Sequence, residues 1–120
     1  MFILRSVIIK TIKIYDFVGN IAADTEQGRK VYDILNQSLK AKEIVTLDFS
    51  SMDTILSMFL NVAIGALYAN YTSQFLNEHI KIVNIKKDDF IILSKVLSRA
   101  KEYYSDPDLT TKRLDDAYKN

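Results

Sequence analysis

The sequence predicts an α/β chain with a small layered fold, a sheet of about four strands with helices packed on it. Three observations predict it. Short β-branched, apolar runs alternate with longer stretches in which apolar residues recur at helical spacing. The 120 residues suffice for one compact domain with a buried core. The segments between successive strands are long enough to be helical crossovers, which implies parallel pairing. No internal repeat, low-complexity segment or linker interrupts the chain. Residues 1–105 read as the domain and 106–120 as a C-terminal helical appendage or mobile tail.

Residues 2–15, FILRSVIIKTIKIY, are rich in Ile and Val and read as β, with Ile12 and Ile14 on one side. Asp16 to Ala23 reads as a loop, with Gly19–Asn20 as its turn signal. Asp24 is an N-cap candidate followed by Glu26 in the first turn, so a helix is expected from there to about Ala41. Val31, Ile34, Leu35 and Leu39 form its buried stripe. Gly28 inside this helix costs roughly 1 kcal/mol against alanine, which close packing against the sheet would explain.

Glu43 to Phe49 is the central strand, and its weak alternation predicts cover on both faces. A polar turn follows, Ser50 to Thr54, in which Asp53 or Thr54 can cap the next helix. Ile55, Leu56, Phe59, Leu60, Ala63, Ile64, Leu67 and Tyr68 give that helix the broadest apolar face in the chain. Its small residues, Ala63, Gly65, Ala66 and Ala69, allow close approach to a neighbour. After a connection with one helical turn, His79 to Ile85 reads as a strand. Asp88–Asp89 can cap a third helix, Phe90 to Tyr104, with Ile91, Leu93, Val96, Leu97 and Ala100 as its stripe. Pro107 suits the start of a further helix in the polar tail.

Composition excludes more than it identifies. Lys plus Arg number 16 and Asp plus Glu 15, a net charge of +1, with no basic stripe of the kind that binds nucleic acid. Without cysteine there are no disulfides, thiolate nucleophiles or cysteine-rich zinc sites. The lone His79 lacks carboxylates at ligand spacing and reads as a surface or strand-edge residue. Arg5 and Lys10 interrupt the apolar N-terminus, so no signal peptide is expected. No window reaches the roughly 18 apolar residues of a membrane span. The expectation is a cytoplasmic protein. Gly19, Gly28 and Gly65 are not clustered, which excludes the glycine-rich phosphate loops.

The junction of the central strand with the second helix concentrates the remaining chemistry, because α/β sheets place function at the carboxyl ends of their strands. Asp48 and Asp53 could hold Mg²⁺ or act as acid and base. Both also fit structural roles, Asp48 bonding loop amides and Asp53 capping the helix. Ser50, Ser51, Thr54 and Ser57 stand ahead of a helix N-terminus, where an anion is favoured. A phosphate added to one of these hydroxyls would change local shape and charge together.

The stretch around this junction resembles a known family. The central motif of the STAS domains, the bacterial anti-sigma-factor antagonists, reads approximately D-L-S-G-V-x-F-I-D-S-S-G-L-G-V-L-L-G. Asp48, Phe49, Ser50, Ser51, Met52, Ile55, Ser57, Leu60, Val62 and Gly65 fall on its matching or similar positions. The resemblance is closer to the STAS-like domains of unassigned function, D-F-x-G-I-x-x-I-[ST]-[ST]-x-F-L-N-x-A-I-G-x-L-Y. There Asp48, Phe49, Ile55, Ser57, Phe59, Leu60, Asn61, Ala63, Ile64, Gly65, Leu67 and Tyr68 match. The resemblance implies a small sheet of mixed strands with helices against it, no catalytic activity and no cofactor. It implies a protein partner, in the antagonists a kinase of the histidine-kinase ATPase type that phosphorylates a serine at the start of this helix. At the antagonists' acceptor position this chain has Met58, so a phosphate would fall on Ser57 or Thr54.

The expectation is therefore a non-enzymatic regulatory module that binds a partner through residues 48–61, with Asp48, Ser50, Ser51, Asp53, Thr54, Ser57 and Asn61 as the contact set. The alternative is a domain that senses a small ligand, nucleotide or anion at the same helix N-terminus. Self-association stays open, because an apolar N-terminal strand, Phe2 to Ile9, invites pairing at a sheet edge.

Overall fold

The computed structural model describes residues 7–105. The N-terminal part of the expected Phe2–Ile9 edge and the helix expected at Pro107 lie outside them. The described chain runs β1 (Ile9–Lys13), α1 (Ile14–Val18), β2 (Ile21–Ala22), α2 (Thr25–Lys40), β3 (Ile44–Asp48), β4 (Thr54–Ile55) and α3 (Ser57–Ala63). It continues through a 3₁₀ helix (Gly65–Ala69), α4 (Ser73–His79), β5 (Ile80–Val83) and α5 (Lys87–Ser105). The expected β–α–β–α–β–α order is the backbone of this list. The layered α/β class holds, with three strands in one sheet and two in a second.

In the larger sheet β3 lies between β1 and β5, and both pairings are parallel. Ile12, Leu47 and Ile82 stand in one row across it, and Thr11, Thr46 and Lys81 in the next. The first row is apolar and the second polar. Val45 and Leu47 are buried while Ile44, Thr46 and Asp48 are half-buried. Cover of β3 is thus complete on one face only, a correction to the two-sided burial read from its weak alternation. Successive strand side chains point to opposite faces, and the row that includes Thr11 and Lys81 tolerates water.

Helix α2 begins on a complete capping box. The Asp24 carboxylate accepts from Gln27 N at 2.8 Å, and Gln27 Oε1 accepts from Asp24 N at 3.2 Å and Ala23 N at 2.8 Å. Gln27 Nε2 also donates to Ile21 O at 2.9 Å, so one side chain ties α2 to the preceding strand. Val31, Leu35 and Leu39 are buried as the stripe requires. Gly28 does permit close packing, but against α3 rather than the sheet. A β-carbon there would lie 2.8 Å from Phe59 O and 2.9 Å from Val62 Cβ.

Several local readings change. β1 ends at Lys13, and the expected loop 16–23 contains a helical turn and a short strand. Gly19, at φ +75°, turns the chain between them, a backbone state that costs glycine little. The apolar stretch from Ile55 is not one helix but β4, α3 and a 3₁₀ helix. The last face of that stretch meets α5, with Gly65 close to Val96 and Ala100. In α5, Leu93 and Val96 are buried but Ile91 is 45% exposed, and Asp88 and Asp89 sit inside the first turn. His79 ends α4 instead of starting a strand; it stacks on Phe75 at 3.9 Å and its Nδ1 donates to Phe75 O at 2.8 Å.

Candidate functional site

The carboxyl ends of β1, β3 and β5 bring Lys13, Asp48 and Val83 into register. Asp48 Oδ1 accepts from Ser50 N at 2.9 Å and from Asn84 Nδ2 at 3.0 Å. Both loops beyond the strands turn through left-handed residues, Ser51 at φ 65° and Asn84 at φ 59°. Asparagine tolerates this state because its short amide can bond locally. Here that amide bonds Asp48, so the loop after β3 and the loop after β5 are held by one carboxylate.

The Asn84 amide, then the Ser50 backbone amide, hold the Asp48 carboxyl below its usual value of 3.8, with a smaller contribution from the Lys13 charge. A carboxyl lowered in the folded state binds its proton less readily there than in the unfolded chain. The stabilisation is complete above 3.8 and is lost as pH falls through the lower native value. In Asp48→Asn this loss should be absent. Urea midpoints measured between about pH 5 and pH 3 should fall less in the variant than in the wild type.

Asp53 does not cap a helix. Its Oδ2 accepts from Asn20 Nδ2 at 2.6 Å, while Asn20 O accepts from Asp53 N at 2.8 Å and Thr54 N at 3.2 Å. This double clasp aligns β4 with β2, in parallel, so that Ile21 faces Thr54 and Ala22 faces Ile55. Thr54 therefore belongs to a strand, and Leu56 occupies the N-cap of α3 with no side-chain bond. Leu56 N is taken by Ala22 O, and Phe59 N and Leu60 N by Leu56 O. An anion would find only the amides of Ser57 and Met58, on a helix of seven residues.

The expected contact set falls into three groups. Asp48 and Ser50 belong to the strand-end cluster with Asn84. Asp53 and Thr54 belong to the clasp with Asn20, and exposed Ser51 lies in the turn that separates them from Asp48. Ser57 and Asn61 stand one turn apart on the exposed face of α3. Asn61 also borders a hollow of about 420 Å³ lined by Gly65, Arg99 and Tyr104. Asp48 is hydrogen-bonded to Ser50 and Asn84, and Asp53 to Asn20. Among the described residues no group of three or more His, Asp or Glu comes together.

Three residues that organise this region were not singled out as functional from the sequence. In the sequence Asn20 marks only a turn, and Asn84 falls within the expected strand His79 to Ile85. Gln27 was legible in principle, since an aspartate followed three residues later by glutamine is the capping-box signature. The bonds of Asn20 and Asn84 span 33 and 36 residues and leave no local signal.

Among the described residues no helix is long and apolar enough to cross a membrane. No curated protein and no solved structure matches the chain. Residues 27–90 match the family model described as a STAS-like domain of unknown function. The matched segment runs from the first turn of α2 to the first turn of α5 and contains the whole junction.

Proposed function

The chain belongs to the family of STAS-like domains of unknown function, and from that membership we propose that it is a non-enzymatic regulatory module that binds a protein partner through residues 48–61. The observation that carries this reading is the division of labour along the junction. Met52, Ile55, Phe59 and Leu60 are buried, while Thr54, Leu56, Ser57, Met58 and Asn61 are exposed on the same backbone. The buried set and the Asn20 clasp fix the backbone, so the exposed set is presented with little ordering left to do on binding. By resemblance to the anti-sigma-factor antagonists, an ATPase of the histidine-kinase type is the first partner to test. Ser57 and Thr54, both exposed, are the hydroxyls proposed to take a phosphate.

The test is affinity capture of the tagged protein from its host, followed by binding measurements on the captured partner. Thr54→Ala/Ser57→Ala/Asn61→Ala should weaken binding by about tenfold or more, roughly 1.4 kcal/mol, with an unchanged melting temperature. A folded triple variant that binds as tightly as the wild type would sink the assignment of this surface.

A further inference from the structure

We propose that the outward face of the β2–β4 ribbon, continued by the first turn of α3, docks a cationic amphipathic helix of a partner protein. The proposal deepens the interaction reading and rests on it. In the ribbon, Ala22 and Ile55 point inward and are 0% and 3% exposed. Strand alternation sends Ile21 and Thr54 outward. The bond from Leu56 N to Ala22 O extends the ladder, so Leu56 also faces out, two residues beyond Thr54. Met58 follows in the first turn of α3. Ile21, Leu56 and Met58 are 50%, 47% and 56% exposed. Single exposed apolar residues need no explanation, but a contiguous set on a fixed backbone marks an interaction surface.

Charge selects the partner. Asp53 closes one end of the ribbon, and Asp24 with Glu26 stands at the other. The sequence has no Lys or Arg from Ile14 to Gly28 and none from Glu43 to Ile80. Among the described residues the cations nearest these segments in sequence are Lys13, Arg29, Lys30, Lys42 and Lys81, and Arg99 borders the hollow beside Asn61. Lys13 ends β1 beside Asp48, and Arg29 is paired with Asp33 at 3.4 Å; Lys30 follows Arg29 on α2. An apolar stripe rimmed by carboxylates complements Leu or Ile side chains flanked by Lys or Arg, and repels nucleic acid and anionic membranes. A docked strand is disfavoured, because β2 and β4 have two residues each and offer almost no edge to extend. A helix needs only apolar anchors at i, i+3, i+4 and i+7.

The test is fluorescence anisotropy of the full chain with a labelled Leu/Lys amphipathic peptide about five turns long. Its Leu/Glu counterpart and a Leu/Lys peptide of scrambled periodicity are the controls. Only the amphipathic Leu/Lys peptide should bind. Its affinity should fall as salt rises to about 1 M, where charges are screened beyond about 3 Å. Leu56→Gln/Met58→Gln should weaken it by about tenfold or more, and so should Asp24→Asn/Glu26→Gln, in which asparagine keeps the helix cap. Equal binding of the Leu/Glu or scrambled peptide, no binding, or unchanged binding in folded variants would overturn the proposal. So would a dimer of the chain that dissociates in Leu56→Gln/Met58→Gln, which would assign the face to a second copy. A host partner lost from Thr54→Ala/Ser57→Ala/Asn61→Ala but retained by Leu56→Gln/Met58→Gln would overturn this proposal and leave the interaction reading standing.

Discussion

Phe59→Ala is expected to lower stability by about 3–5 kcal/mol, the usual loss when a fully buried aromatic ring is removed. Phe59 is 0% exposed, on the buried side of α3. Its removal forfeits the transfer energy of the ring and leaves a cavity that the surrounding core can only partly close. A domain of this size holds about 5–15 kcal/mol in total, so the variant should stand near the edge of folding. Urea unfolding followed by far-UV circular dichroism will measure it. Met58→Ala is the internal control. That side chain is 56% exposed, and its loss should stay within about 0.5 kcal/mol. If the two variants proved equally stable, the burial of α3 described above would be wrong. The contrast also separates fold from function. Phe59 serves the core, whereas Met58 faces the solvent.

Gly28→Ala is expected to destabilise although alanine is the better helix former. Propensity alone would add roughly 1 kcal/mol. Against this, the new β-carbon would meet Phe59 O at 2.8 Å and Val62 Cβ at 2.9 Å. The nearer atom is backbone and cannot rotate away, so α2 and α3 must separate. Such overpacking costs about 1–3 kcal/mol, and Gly28→Val should lose more than Gly28→Ala. The measurement is the urea midpoint at constant m-value. A midpoint raised by alanine would mean that the two helices part at little cost, and that Gly28 serves something other than their contact.

These two residues also mark how far local pattern reaches. The helical stripe Val31–Leu35–Leu39, the Asp24 cap and the central strand were all legible, because each is written within a few residues of itself. The match of the junction to the STAS-like pattern was legible for the same reason. Gly28 could be read as a close contact, but not as a contact with α3, because a glycine carries no record of its neighbour. Thr54 and Asp53 looked like helix caps, since both are good caps by type. In the fold Asn20 takes both of their backbone amides, and Thr54 begins a strand.

What the linear chain specified was periodicity, capping and turn chemistry, which act over one or two turns of backbone. From these followed the α/β class, the order of the main elements and the place of the junction. Strands as short as β2 and β4 contain a single period and leave no such trace. The path of the chain created them by bringing residues 20–22 beside 53–56. The same path set the bond between Asp48 and Asn84 and the outward aim of Ile21, Leu56 and Met58. Those depend on which distant segments meet, and backbone groups that meet away from water must pair with whatever lies opposite them.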